Sequence, residues 1–160
     1  MTGLSKNNAQ RQKAEAMTDR RRDALEVVRE IPAPPEQVFR ALTDPDALMK
    51  WWGTKGTLTG AHVNLRPGGE YRFEFLSPEG DAAWVKGQYQ VVDAPRRLVK
   101  TWFNSKFPDL RNTVAIDLAP AEGGTRLTLV HSGLADRPEA FEDYEKGWPE
   151  VLGHLQSVES

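Results

Sequence analysis

Apolar and polar residues alternate through the middle of the chain with the period of two that is typical of β-strands. In YRFEF, Tyr71, Phe73 and Phe75 share one face, and the charged residues between them share the other. The other alternating segments are WVKGQYQVV, RLVKTWF, TVAIDLA and TRLTLVHSG. Turn-forming residues separate the strands in RPGGE, SPEGD, DAPRR and PAEGG. Because DAPRR and PAEGG are short enough for hairpins, the pattern predicts an antiparallel sheet with one solvated face.

Helical spacing flanks this sheet on both sides. ALEVVREI predicts a first strand, and PAPPEQVFRALTDPDALMKWW predicts two helices after it, with Asp44 as the N-cap of the second. The last element runs from about residue 138 to residue 158. Its apolar stripe consists of Phe141, Tyr144, Trp148, Val151, Leu152, Leu155 and Val158. The predicted order is β-αα-β6-α, an α+β fold in which the last helix packs on the apolar face of the sheet.

One stretch of the last helix, GWPEVLGHL, combines this stripe with two poor helix formers. A proline inside a helix costs about 3 kcal/mol and a glycine about 1 kcal/mol. Either the main helix begins at Trp148 with Pro149 near its first turn, or a longer helix kinks there. We interpret the break as a means of seating the Trp148 indole over a pocket. The alternative is a bend that belongs to the fold and serves no ligand.

Length and charge indicate one domain preceded by a tail. A chain of 160 residues has room for a single domain with a sizeable core. Residues 1–22 hold six Lys and Arg against two acidic residues, which predicts a disordered basic tail, with the domain spanning residues 23–160. The remainder carries a net charge of −6, which argues against a nucleic acid partner. Translation starting at Met1 and translation starting at Met17 both remain open.

Composition excludes several kinds of chemistry. The chain contains no cysteine, so disulfides, thiol nucleophiles and cysteine metal sites are ruled out. No apolar run approaches the roughly 18 residues of a membrane span, and no signal peptide is evident, so a cytoplasmic location is the default expectation. Neither GG pair opens a helix after a strand, as a phosphate-binding loop would. No cofactor is predicted.

The order and spacing of several motifs resemble a known family. The motifs are VREIPAPPEQVFRALTDPDALMKWW, NLRPGGEYRF, GQYQVVDAPRRLVKTW, GGTRLTLVHSGL and the closing GW…L..L. Together they are similar to the START and birch-pollen-allergen (SRPBCC) superfamily, in the branch related to the C-terminal domain of the activator of the heat-shock chaperone ATPase. The resemblance covers roughly residues 24–158. One departure is Asn64, where members usually carry an aspartate before the turn at Arg66, Gly68 and Gly69.

The resemblance implies a helix-grip fold, in which a curved antiparallel sheet wraps around a long C-terminal helix. Members of the superfamily have a cavity between the sheet and this helix that holds lipids, hormones or polyketides. The resemblance therefore implies non-enzymatic binding of a small hydrophobic ligand. Two alternatives stay open, a protein-interaction module whose partner is a chaperone or another protein, and a cyclase-like enzyme.

The candidate chemistry is sparse. His62, His131 and His154 lie in different elements and form no metal-binding motif, so no metal site and no catalytic residue are predicted. His131 alternates with Leu127 and Leu129 on an apolar face, where it is either a core histidine with a satisfied hydrogen bond or a contact for a ligand oxygen.

The predicted ligand-binding residues are the large side chains on elements that surround the space under the last helix. They are Trp51, Trp52, Tyr71, Phe73, Phe75, Trp84, Tyr89, Trp102, His131, Trp148 and Leu152. A flat or branched hydrophobic molecule with one polar end is the expected ligand. Tyr71, Tyr89 and His131 are the candidates for binding that polar end, because each presents a hydrogen-bonding group from an apolar strand face.

Overall fold

A computed structural model describes residues 23–52, 58–77 and 79–156. The strands are β1 (Leu25–Ile31), β2 (Leu58–Val63), β3 (Glu70–Leu76), β4 (Ala82–Asp93), β5 (Arg97–Asn104), β6 (Phe107–Ala121) and β7 (Gly124–Ser132). The helices are α1 (Pro35–Thr43), α2 (Pro45–Trp51) and α3 (Pro138–Gln156). The order β-αα-β6-α is the one that the sequence predicts. The predicted tail at residues 1–22 and the stripe position Val158 lie outside the described residues.

The seven strands form one antiparallel sheet in the order β1-β7-β6-β5-β4-β3-β2. Every neighbour along the chain from β2 to β7 is therefore also a neighbour in the sheet, and β1 closes onto β7. The hairpins predicted at DAPRR and PAEGG are confirmed, with Asp93 opposite Arg97 and Ala121 opposite Gly124. The α+β helix-grip architecture is confirmed.

Local sequence explains where the short helices begin. Pro35 and Pro45 occupy the first turns of α1 and α2, where a missing backbone N–H breaks no helical bond. The Asp44 carboxylate accepts a 2.9 Å hydrogen bond from the backbone N–H of Asp46, which confirms the predicted N-cap. The two helices place the indoles of Trp51 and Trp52 in the core.

The turn at Asn64 forms without the aspartate that is usual there. The backbone N–H of Gly69 donates to the carbonyl of Arg66 at 2.8 Å, and Gly68 has a positive φ of 82°. The N–H of Gly68 in turn donates to the Tyr89 carbonyl at 2.7 Å, which ties the turn to β4. Backbone hydrogen bonds and glycine therefore suffice to hold this corner of the sheet.

Helix α3 is continuous through Pro149, so the main helix does not begin at Trp148. The buried side chains Tyr144, Trp148, Leu152 and Leu155 face the sheet, as the apolar stripe predicts. Within the described residues, no helix is long and apolar enough to cross a membrane.

The close approach of β4 and β5 generates a prediction at Gly87. A Cβ at this position would lie 2.1 Å from the backbone carbonyl oxygen of Thr101, a distance that real contacts do not reach. Gly87→Ala is therefore expected to lower the free energy of unfolding by about 2–3 kcal/mol, measured by urea denaturation.

Gly147→Ala in α3 is the matched control. A Cβ there meets nothing within 4 Å, and alanine is the better helix former, so this variant should gain about 0.5–1 kcal/mol. Equal stability of the two variants would show that the sheet relaxes freely around residue 87.

Candidate functional site

Polar side chains line up across the inner face of the sheet, beneath α3. The strand register places Tyr89 of β4 opposite Lys100 of β5, Lys100 opposite Val114 of β6, and Val114 opposite His131 of β7. All four residues are buried, and Val114 and His131 are fully enclosed. Since directly opposed residues have Cβ atoms about 5 Å apart, the register creates one row that alternates aromatic, cationic, aliphatic and imidazole groups.

His131 connects this row to α3. The indole Nε1–H of Trp148 donates to Nδ1 of His131 at 2.9 Å, and Nε2 of His131 lies 2.5 Å from Oδ1 of Asn112. Asn112 also donates from Nδ2 to the carbonyl of Leu110 at 3.1 Å, which orients its oxygen toward the imidazole. Because Nδ1 accepts a hydrogen bond, the proton of the neutral ring is on Nε2.

Burial keeps His131 neutral. Desolvation, and secondarily the charge of Lys100, lower the pKa of His131 to about 3. Protonation of Nδ1 would also remove the acceptor that Trp148 uses. Both ring nitrogens are thus engaged in structural hydrogen bonds, so His131 holds the helix in place and has no free nitrogen for proton transfer.

Lys100 is a buried cation surrounded by aromatic rings. The residue is 2% exposed, and its Nζ lies 4.6 Å from the ring centroid of Tyr71, 5.0 Å from that of Phe73 and 5.5 Å from that of Trp102. No ion pair of the described residues includes it. Desolvation lowers the pKa of Lys100 to about 7, so near neutral pH the amine exists in both forms.

Two tyrosine hydroxyl groups on the strands around Lys100 differ in their hydrogen bonding. The Tyr71 hydroxyl donates to the Thr101 carbonyl at 2.5 Å, whereas the Tyr89 hydroxyl is buried and has no hydrogen-bond partner within the described residues. Burial raises the pKa of both groups well above the usual tyrosine range. Both hydroxyls are therefore protonated, and that of Tyr89 is a free donor or acceptor inside the core.

Trp102 and Tyr144 form a second polar contact under α3. Burial raises the pKa of Tyr144 to about 12, and the side chains of Trp102 and Asn104 partly oppose that rise. Trp102 and Asn104 thus approach Tyr144 Oη closely enough to lower its pKa by hydrogen bonding, although within the described chain neither Tyr144 Oη nor Trp102 Nε1 meets the geometry of a full hydrogen bond. Both atoms are available to a group that comes closer.

The four buried indoles contact one another as a continuous layer. Trp148 lies with its ring centroid 5.3 Å from Trp102 and 5.9 Å from Trp52, and Trp52 lies 5.4 Å from Trp51. Trp51 also donates from Nε1 to the Ala41 carbonyl at 2.7 Å, which anchors α2 to α1. The indole of Trp148, 4% exposed, thus fills the space between helix and sheet.

The structure brings together ten of the eleven residues predicted to bind a ligand. Phe75 is only partly buried at the periphery of the core. The residues that lie in the core itself are Trp51, Trp52, Tyr71, Phe73, Tyr89, Trp102, His131, Trp148 and Leu152.

Trp84 is the exception and must be removed from the predicted lining. Its neighbour Val85 takes the inner position, so the pleat directs Trp84 to the outer face. There its ring lies 5.4 Å from the Arg72 guanidinium and 4.7 Å from Nζ of Lys86. The alternation in WVKGQYQVV carries this information, because Trp84 is one residue out of phase with Tyr89.

Sequence reasoning did not single out Lys100 or Asn112. The signal for Lys100 is its position between Leu98 and Trp102 at a spacing of two, which puts a cation on an apolar face. Asn112 gave no comparable signal, because it precedes the clear alternation of its strand. Its role depends on the pairing of β6 with β7.

The histidines do not converge on a metal site. His62 is exposed on β2, 3.7 Å from Oε1 of Glu74, whereas His131 is enclosed in the core. Within residues 23–52, 58–77 and 79–156, no group of three His, Cys, Asp or Glu side chains is placed to hold a metal ion.

The family model described as Activator of Hsp90 ATPase homolog 1-like protein matches residues 32–159. The chain belongs to this family. No match to a protein of curated function was found.

Solved structures of bacterial proteins resemble this AHSA1-like chain. A Chromobacterium violaceum protein is 31% identical with a TM-score of 0.72, over 84% of this chain and 95% of that one. A Rhodobacter sphaeroides protein is 27% identical with a TM-score of 0.74, over 84% and 91% of the two chains. An AHSA1-like protein from Aeromonas hydrophila, 22% identical with a TM-score of 0.68 over 83% and 89%, shares the fold.

The bond between Trp148 and His131 generates a prediction about stability. Trp148→Phe leaves Nδ1 of His131 buried without its donor and removes part of the packed ring system. We expect a loss of about 2–3 kcal/mol in the free energy of unfolding, measured by urea denaturation at pH 7.

Tyr89→Phe is the control, because it removes a buried hydroxyl that has no partner. It should leave stability unchanged or raise it by up to about 1–3 kcal/mol, because it removes the cost of burying an unpaired group. If Trp148→Phe proves equally mild, the hydrogen bond to His131 does not hold α3 in place.

The burial of Lys100 generates a prediction about pH. Between its folded pKa of about 7 and the ordinary value of 10.5, the unfolded chain binds more protons than the folded chain does. The contribution of Lys100 to stability should therefore rise with pH across this window, by up to about 1.4 kcal/mol per pH unit. Lys100→Met should be more stable at pH 7 and lack this rise.

Lys86→Met, at an exposed position on the outer face, serves as the control. Denaturation curves collected between pH 6.5 and pH 10 separate the two variants from the unsubstituted protein. An unchanged pH slope in Lys100→Met would mean that the buried amine keeps an ordinary pKa.

Proposed function

We propose that the protein binds a small, mainly apolar molecule between α3 and the inner face of the sheet, without catalysing a reaction on it. The observation that carries this proposal is the set of buried polar atoms without a hydrogen-bond partner in the described chain: Tyr89 Oη, Trp102 Nε1 and Tyr144 Oη. A buried polar group left unpaired costs about 1–3 kcal/mol. Tyr89 Oη carries the most weight, because Tyr144 and Trp102 have at least a weak polar contact with each other. A ligand with one polar end would supply the missing partner.

The ring layer identifies Trp148 as the side chain that a ligand would displace. Trp148 is carried by the helix, whereas Trp102 belongs to the central strand β5 and cannot move without the sheet. Pro149 directly follows Trp148 and has no N–H, so the carbonyl of Glu145 lacks its helical hydrogen bond. Gly147 adds freedom on the other side. The helix is therefore weakest at the residue that fills the space.

The proposed ligand-binding residues are the inner-face members of the set predicted from the sequence. They are Trp51, Trp52, Tyr71, Phe73, Phe75, Tyr89, Trp102, His131, Trp148 and Leu152. Apolar contact with these side chains would provide most of the affinity, at about 25 cal/mol for each Å² removed from water before the costs of association. Affinity in the micromolar range is expected for such a site.

Binding is favoured over a cyclase-like reaction by the state of the titratable groups. His131 uses both ring nitrogens, and burial keeps the tyrosines protonated. The buried polar and charged residues of the described chain are Thr43, Lys100, Thr101, Asn112, Thr125 and His131. They contain no carboxylate, and Lys100, the one among them that titrates near neutral pH, has no second titratable group free to act with it.

A second candidate function is interaction with another protein, and the outer face of the sheet favours it. A groove there is lined by Arg66, Arg72, Lys86 and Arg111, with Glu70 as its acidic member. Trp84 stacks beside Arg72 and Lys86 on the same face. A basic groove on a chain with a net charge of −2 suits an acidic segment of a partner, and the family description suggests an Hsp90-type chaperone.

Titration with small molecules tests the first proposal. We expect amide shifts in ¹⁵N-labelled protein on addition of members of a panel of fatty acids, sterols, flavonoids and polyketide fragments. The shifts should concentrate at Tyr71, Phe73, His131, Trp148 and Leu152, because these residues border the space that a ligand would enter. Native mass spectrometry of protein purified from its own host would then identify a retained molecule.

The interaction module gives a different result in the same measurement. Addition of a purified Hsp90-type chaperone would shift residues of the outer groove, and the double variant Arg72→Glu/Lys86→Glu would abolish those shifts. If the small-molecule panel leaves the inner residues unmoved while the chaperone shifts the outer ones, the binding proposal is wrong.

A further inference from the structure

The inner face contains a cation without an acid. Lys100 is the one charged residue among the buried polar side chains of the described chain, and the others are threonine, asparagine and histidine. Its Nζ lies over the rings of Tyr71, Phe73 and Trp102. Ring faces attract an ammonium group but accept no proper hydrogen bond from it. Within the described residues, the amine thus has ring faces as its contacts and no anionic partner.

A buried hydroxyl without a partner belongs to the strand next to this cation. Tyr89 is the cross-strand neighbour of Lys100 on β4, and its buried hydroxyl has no partner in the described chain. Trp102 follows Lys100 on the same face of β5, and its Nε1–H makes no full hydrogen bond within the described chain, although it contacts Tyr144. Lys100, Tyr89 and Trp102 thus present three potential donors on two adjacent strands. The nearest acceptor whose bonding is known, Nδ1 of His131, already binds Trp148.

A surplus of donors around a cation selects for a ligand rich in acceptors. A carboxylate has two oxygens and about four acceptor positions, and its charge matches that of an ammonium. An alcohol or a hydrocarbon would leave the cation unmatched, and an amine ligand would repel it. The aromatic rings around Lys100 exclude water, which strengthens any ionic hydrogen bond formed there.

We propose that Lys100 is the anchor for the carboxylate of an acid whose apolar part lies under α3, with Tyr89 as a second hydrogen-bonding contact. This assignment rests on the binding function proposed above and specifies its ligand class as an apolar or aromatic monocarboxylic acid. The apolar part takes the space of the Trp148 indole, and the carboxylate reaches the row beneath it. His131 keeps its bond to Asn112 and borders the ligand.

Binding of an acid should change the protonation of Lys100. The pKa of Lys100 in the folded chain is about 7, and a carboxylate at hydrogen-bonding distance favours the charged amine. At pH 8 most free protein therefore holds a neutral Lys100, and binding of the acid draws a proton from the buffer. Calorimetry in two buffers of different ionisation enthalpy measures this uptake, which should approach one proton per bound acid.

Pairs of ligands that differ only in their polar group distinguish the contribution of Lys100 from that of apolar contact. We would titrate naphthalene-2-carboxylate against naphthalene-2-methanol, and decanoate against decan-1-ol, into the unsubstituted protein and into two variants. The unsubstituted protein should prefer each acid to its alcohol by about tenfold or more, as expected of a hydrogen bond to a charged group. Lys100→Met should lose this preference and the proton uptake while still binding the alcohols.

Lys50→Met, which changes an exposed lysine in the last turn of α2, should behave like the unsubstituted protein. Equal binding of acid and alcohol, or an acid preference that survives in Lys100→Met, would overturn the anchor and leave the proposed binding function standing. Failure of all four probes to bind the unsubstituted protein would overturn both.

Discussion

The hydrogen bond from Trp148 to His131 determines how α3 sits on the sheet. It joins the helix to β7, and the bond between His131 and Asn112 extends the connection to β6. In an apolar core, each of these groups would cost about 1–3 kcal/mol if left unpaired. Apolar packing alone would tolerate several rotations of α3, because its stripe is wide. The hydrogen bonds that connect Trp148, His131 and Asn112 permit only one rotation of the helix. That rotation sets the positions of Tyr144 and Leu152, which lie one turn to either side of Trp148.

The same bond explains how a helix with a proline beside its largest side chain remains continuous. Pro149 and Gly147 weaken α3 locally, but Trp148 is fastened by its indole N–H and by contacts with Trp52 and Trp102. Tertiary contacts thus outweigh local propensity here, as is common for helices that pack on a sheet. The helix is held at this point by the side chain and only weakly by its own backbone. Displacement of the Trp148 indole would therefore also destabilise α3 at this point.

The sequence was sufficient to predict the architecture and most of the inner face, because alternation and helical spacing report directly on which side of an element is buried. Trp84 was predicted to bind a ligand because it is aromatic, but the alternation along β4 places its side chain on the outer face. Lys100 was visible in the alternation, between Leu98 and Trp102, but lysine is so seldom buried that the pattern alone did not reveal its role. Asn112 could not have been found, because its function arises only when β6 pairs with β7.

Lys100 is costly for the fold, and this cost bears on what the inner face does. Lowering the pKa of a lysine from 10.5 to about 7 corresponds to a penalty of roughly 4–5 kcal/mol for burying the charge. That is a large part of the 5–15 kcal/mol by which domains are stable. Methionine or leucine at this position would remove the penalty and still pack against Tyr71 and Phe73. Residues that break the local rule of a face without compensation within the protein tend to mark functional sites. Here the compensation that is missing is negative charge, which the acid proposed as a ligand would supply.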